Sequence, residues 1–150
     1  MAYTGTKATA GKGLALSINT GTASSPTWSP VGESFDAQPS RKMMTDEATN
    51  FDSAATEYIS TMPDGGEMKF SCNRVSTDAG QIAVEAAASS GALKQFKIVA
   101  PIGVGQITLG DAWTFSAIVV EFNPSFKPEK KTTMSGTLRT SNGITFTVGS

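Results

Sequence analysis

The sequence predicts a mainly β fold, a β-sandwich or partial barrel of two packed antiparallel sheets, with one flanking α-helix at about Asp78–Ser90. Three observations carry that expectation. Apolar residues alternate with a period of two in a succession of short segments on either side of the middle of the chain, the pattern of half-buried strands. Only the stretch Asp78 to Gly91 has both a helix start and a helix stop. The resulting order of β block, helix, β block calls for packed sheets braced by a helix.

Met1 to Gly13 contains small residues and two lysines without periodicity, so residues 1–13 read as a flexible arm and 14–150 as a single domain. Leu14 to Asn19 is the first strand candidate, followed by the turn-rich TGTASSP. A short strand is expected around Trp28 to Phe35, at an edge or a bulge because Pro30 cannot donate to a ladder. Asp36 to Thr56 mixes charge, Pro, Asn and small residues and reads as a long loop at 36–56. Its Met43, Met44 and Phe51 have no periodic element to bury them in their own domain, so the loop is expected to fold against a partner. Thr56 to Met62 and Glu67 to Asn73 read as a hairpin closed by a tight turn at Pro63 to Gly66.

In the helix, Asp78 is the expected N-cap, Gln81 the residue that returns the bond in a capping box, and Gly91 the left-handed exit. Ile82, Ala83, Ala86 and Ala87 fall on one side, predicting a narrow stripe of mostly small residues against the sheet. Leu93 to Ala100 follows as a strand. Ala112 to Asn123 is the longest strand, apolar on both faces and therefore expected to be central and covered on both sides. Thr132 to Thr140 is another strand, and Asn142-Gly143 signals a hairpin turn into a last strand with Ile144, Phe146 and Val148. The expected core is Phe70, Ile82, Phe96, Ile98, Trp113, Phe115, Leu138 and Phe146.

A chain of 150 residues, 39% hydrophobic, can bury one real core. Its net charge of −1 argues against a protein that grips nucleic acid through its phosphates, and Lys127, Lys130 and Lys131 read as a solvated turn. The longest apolar run, in Ala117 to Val120, is far too short for a membrane helix. Met1 to Gly13 lacks the apolar region of a secretory signal, so synthesis in the cytoplasm and no membrane partner are expected.

Catalysis has little to build on. With no histidine, the usual general base and the Ser-His-Asp arrangement are excluded. A single Cys72 allows neither an intramolecular disulfide nor, without histidine, a Cys/His zinc cluster. The carboxylate pairs Asp46/Glu47 and Asp64/Glu67 lie in loop or turn contexts. Neither GVGQITLG nor AGKG has the spacing of a phosphate-binding loop, and no EF-hand spacing occurs. The expectation is a protein that is not an enzyme and carries no cofactor or metal.

In combination, TWSPVGE, a long loop, EYISTMPDGGEMKFSCN, GQIAVEAAASSG with LKQFKIVAP, WTFSAIVVEFNPSF and TMSGTLRTSNGITF resemble the major tail tube proteins of long-tailed, noncontractile phages. The resemblance covers Thr27 to Val148. It implies a β-sandwich or partial barrel shared with the type VI secretion tube, and a structural subunit whose homohexameric rings stack into a hollow conduit for DNA in the virion tail. Its implied partners are other copies of itself and tail tip, tape measure and terminator proteins, with DNA passing through without specific binding. On that reading the 1–13 arm and the 36–56 loop make inter-ring contacts, with Arg41, Lys42, Met43, Met44, Asp46, Glu47, Phe51 and Asp52 as the loop's assembly residues. The lumen candidates are Glu57, Glu67, Glu121, Thr133, Ser135 and Thr137, which would give a wall that does not hold phosphates. The alternative is a β-sandwich binding module of carbohydrate or adhesin type, with Trp28, Trp113 and Tyr58 as stacking residues.

Overall fold

A computed structural model describes residues 14–64 and 66–150; the N-terminal arm expected at 1–13 lies outside them. Nine strands and one helix follow in the order β1 (Ala15–Asn19), β2 (Trp28–Pro30), β3 (Ser34–Gln38), β4 (Lys42–Glu47), β5 (Tyr58–Asp64), β6 (Glu67–Asn73), α1 (Ala79–Ser90), β7 (Leu93–Val99), β8 (Ala112–Ser125) and β9 (Thr133–Thr147). Seven strands form one antiparallel sheet in the order β2-β1-β7-β8-β9-β6-β3, and β4 and β5 form a separate two-stranded sheet. The fold is therefore mainly β, with a large and a small antiparallel sheet. Pro30 lies in edge strand β2, where its missing N–H breaks no ladder. At the opposite edge β3 approaches β1, so the large sheet curls round its core.

Registers sort the paired residues of the large sheet onto two faces. Leu16 and Ile18 of β1, Met68, Phe70 and Cys72 of β6, Phe96 and Ile98 of β7, Phe115, Ala117, Val119 and Phe122 of β8, and Met134 and Leu138 of β9 are buried in one cluster. Val84 and Ala87 of α1 close over it. Phe122, Gly136 and Phe70 are paired in a row across β8, β9 and β6. The Phe70 ring covers Gly136 so closely that an added Cβ would strike it, and it stacks on Phe122 with ring centroids 5.8 Å apart.

Long-range pairing overturns three expectations. The Pro63–Gly66 turn does not close a hairpin, because β5 pairs with β4 while β6 pairs with β3 and β9. The 36–56 loop instead holds the end of β3 and all of β4, and only positions 48–57 connect β4 to β5. Asn142-Gly143 makes no hairpin either. It forms a bulge in β9, where Ser141 and Ile144 face the consecutive Ser116 and Phe115, with Gly143 at φ 82.

The helix has its expected ends, with Asp78 accepting from the Gln81 amide and Gly91 in the left-handed region. Its inward face differs. Ile82 is 55% exposed, and the residues buried are Gly80, Gln81, Val84 and Ala87. Gln81 does not return a capping bond to Asp78. Its Nε2 donates to Gly32 O (2.9 Å) and Asn73 O (2.7 Å), and its Oε1 accepts from Val75 N (3.0 Å). A polar side chain faces inward because it satisfies three backbone groups of the β2–β3 and β6–α1 connections at once. That orientation turns its neighbour Ile82 to the surface. Phe146 is also exposed, at 42%, because β9 outruns β6 beyond Arg139 and, among the described residues, no strand pairs with it on that side. Trp113 is half-buried and meets Phe146 with centroids 5.3 Å apart. No helix among the described residues is long and apolar enough to cross a membrane.

Candidate functional site

The small sheet stands apart from the core. Every residue of β4 and every described side chain of β5 is exposed, including Met43, Met44, Tyr58, Ile59 and Met62, and Phe51 in the connection is fully exposed. A two-stranded ribbon has marginal stability in water on its own, and apolar surface of this extent marks a contact surface. Its turn is held locally: Ala48 N donates to Glu57 O (2.8 Å), Glu57 N to Thr49 Oγ1 (2.9 Å) and Asp52 N to Asn50 Oδ1 (2.9 Å).

All eight residues expected to serve assembly fall on or beside this ribbon: Arg41 just before β4, Lys42, Met43, Met44, Asp46 and Glu47 within it, and Phe51 and Asp52 in the connection. Tyr58, Ile59 and Met62 of β5 belong to the same surface, although the sequence pattern places them in an internal hairpin with Glu67 to Asn73. Two cations, Arg41 and Lys42, stand against five carboxylates between positions 41 and 64. This ribbon, the β4–β5 arm, is thus acidic as well as apolar.

A second surface is the sheet face turned away from the core. Pairing puts Glu67, Lys69, Ser71 and Asn73 of β6 beside Arg139, Thr137, Ser135 and Thr133 of β9, and Thr137, Ser135 and Thr133 beside Glu121, Asn123 and Ser125 of β8. Glu67, Glu121, Thr133, Ser135 and Thr137 therefore share one polar face, whereas Glu57 lies at the far end of the arm and does not join them. The paired residues of this face carry three acids (Asp36, Glu67, Glu121) and three bases (Lys69, Lys97, Arg139). Arg139 Nη1 lies 3.3 Å from Glu67 Oε1, and Lys97 Nζ lies over the Trp28 ring at 4.7 Å.

A third feature is the 100–111 connection between β7 and β8. Ser150 O accepts from the amides of Ile107 (2.9 Å), Thr108 (2.8 Å) and Leu109 (3.0 Å), and Asp111 Oδ1 accepts from Gln106 Nε2 (2.6 Å) and Gly149 N (2.9 Å). The backbone is tied down while Ile102, Val104, Ile107 and Leu109 remain exposed. Its broken glycine pattern gives no periodic signal, and in the sequence GVGQITLG stands out only for lacking the spacing of a phosphate-binding loop.

No group of three or more His, Cys, Asp or Glu placed to hold a metal occurs among the described residues. Burial, with a smaller push from the Asp78 charge, raises the Cys72 thiol to about 11, so the sulfur stays protonated and unreactive at neutral pH. The aromatics of the alternative reading do not converge. Trp28 packs under Lys97 on the polar face, Trp113 points to the core side with Phe146, and Tyr58 stands on the arm.

No protein-family model matches the chain, and no curated protein matches it by sequence. Solved structures match it throughout. The tail of an empty gene transfer agent (GTA) particle, with C6 symmetry, superposes with a TM-score of 0.72 at 12% identity over 94% of this chain and 100% of the other. The SPP1 tail tube gives 0.70 at 14% identity, covering 90% of this chain and 76% of that one. The anti-feeding prophage baseplate, 6-fold symmetrised, gives 0.67 at 8% identity, covering 97% and 98%. With its curled seven-stranded sheet, single helix and projecting ribbon, this chain has the tail tube fold.

Proposed function

We propose that the protein is a structural subunit, not an enzyme, of a phage tail tube, and that its hexameric rings stack into a hollow conduit for DNA in the virion. The observation that carries this reading is the β4–β5 arm, an apolar ribbon exposed on both faces that needs another copy to cover it. Sixfold symmetry in the similar GTA and prophage assemblies supports six subunits per ring. The noncontractile kind of tail, and tail tip, tape measure and terminator proteins as further partners, follow from the sequence resemblance.

Ring closure has candidate edges within the large sheet. β7 pairs with β8 only as far as Ile118, and β6 with β9 only as far as Arg139. The remaining lengths of β8 and β9 each have a strand on one side only, and the free sides face opposite ways. Side-by-side copies could join these edges in a heterologous contact, which generates rings when the rotation closes. The polar face with its balanced charge suits a lumen, since each neutralised phosphate would add affinity and retard passage.

Negative-stain electron microscopy of concentrated protein tests the proposal. Sixfold rings or uniform hollow tubes are the expected result. A monomer that persists at every concentration and binds glycans would overturn it in favour of the binding module.

A further inference from the structure

The connection between β8 and β9 carries a second charged surface, opposite in sign to the arm. Positions 126–131 read Phe-Lys-Pro-Glu-Lys-Lys, three lysines against one glutamate. Lys130 N donates to Lys127 O (3.2 Å), closing a turn with Pro128 at its second position. Lys127, Lys130 and Lys131 then line one shallow concavity with Ser125 and Thr133. Lys131 Nζ lies 5.5 Å from the centre of the Phe35 ring. Phe35 and Phe126 are exposed at 59% and 74%. The surface is therefore cationic with exposed apolar rings, as the arm is anionic with exposed apolar side chains.

Their places in the fold keep the two surfaces apart within one chain. The arm leaves β6 at its Glu67 end, whereas Asn73, at the other end, pairs with Thr133 beside the lysine turn. A seven-residue strand separates them by about 20 Å. β4 follows β3 past Gln38, which pairs with Lys69, and β5 precedes Glu67, so the arm is rooted at the end of the sheet opposite the lysine turn. The complementary halves lie at opposite ends of the sheet, the arrangement of a head-to-tail contact.

We infer that the lysine turn at 127–131 is the docking site for the acidic β4–β5 arm of a second copy of this chain, an electrostatic latch between successive rings. The inference rests on the tube reading and adds to it which surface receives the arm. Asp46, Glu47, Asp52 and Glu57 supply the charge that meets Lys127, Lys130 and Lys131, while Phe35 and Phe126 meet apolar side chains of the arm. Opposite charge at such a contact orients the incoming copy and disfavours arm-to-arm encounters.

The test uses two charge-reversed chains, Lys127→Glu/Lys130→Glu and Asp46→Lys/Glu47→Lys, with assembly followed by pelleting and electron microscopy. Each is expected to remain folded by circular dichroism and monomeric by size-exclusion chromatography, with the concentration needed for tubes raised about tenfold or more by the like charges brought together. A chain carrying all four changes restores the match and is expected to assemble again. Wild-type assembly is expected to weaken as salt rises through the screening range. Two reversed variants that assemble like the wild type, or a four-change chain that does not recover while both doubles fail, would overturn the latch and leave the tube reading intact. So would loss of binding to short duplex DNA in the lysine variant with unchanged tube formation, which would make the turn a phosphate-binding surface. Failure of the wild type to form rings or tubes under any condition would remove both.

Discussion

Gln81 and Ile82 show how one hydrogen-bond set chooses a helix face. With Gln81 turned inward to Gly32, Asn73 and Val75, Ile82 is displaced to solvent and Val84 takes the core position. Ile82→Asp is therefore expected to change stability by no more than about 0.5 kcal/mol, against the unfolding that its apolar character suggested. Val84→Asp buries an unpaired carboxylate and is expected to leave no soluble folded protein. Thermal melts of the two variants make the comparison, and an unfolded Ile82→Asp would refute the inward assignment of Gln81. Gln81→Ala orphans buried backbone groups and should cost ~2–4 kcal/mol in denaturant unfolding. Gly136→Val, which forces a side chain into the Phe70 ring, should cost ~1–3 kcal/mol by overpacking.

Among the elements, β6, β7 and α1 were legible in the sequence because their signals are local. Met68, Phe70 and Cys72 alternate against polar neighbours, and Asp78 and Gly91 cap one helix. Strand partnership was not legible. A period of two states which residues share a face but not which strand lies alongside, so PDGG read as a hairpin when it carries the chain from the small sheet into the large one. The arm was hidden for a different reason: Lys42–Glu47 has both faces exposed and shows no contrast between an apolar and a polar side. Replacing residues 42–64 by a short Gly/Ser linker should leave a folded domain, since the core cluster includes none of them. Size-exclusion chromatography is expected to show a monomer and electron microscopy no tubes. Normal tubes from this variant would show that the arm is not the inter-ring contact.

For the molecule as a whole, the polar face of the large sheet is the proposed lumen wall. Glu67 and Glu121 lie on it with Lys69, Lys97 and Arg139. Glu67→Lys with Glu121→Lys would leave it strongly cationic. If that face is the lumen, tubes should still assemble while DNA ejection slows, with a steep salt dependence from the added phosphate contacts. Particles ejecting at the wild-type rate would place the face elsewhere. Glu57, far out on the arm, should affect assembly rather than ejection when replaced.

The sequence by itself determined the mainly β class, the helix and its two caps, most strand positions, and the charged, apolar stretch at 41–52. These depend on neighbours within a few residues, where periodicity and capping chemistry act. The tertiary structure alone decided that β5 pairs with β4, that β9 continues through a bulge, that Gln81 faces inward, and that Glu67, Glu121 and Thr137 share a face from which Glu57 is excluded. Those choices follow from pairing between segments distant in sequence, where a backbone group accepts whichever strand or side chain satisfies it once the chain has closed around its core.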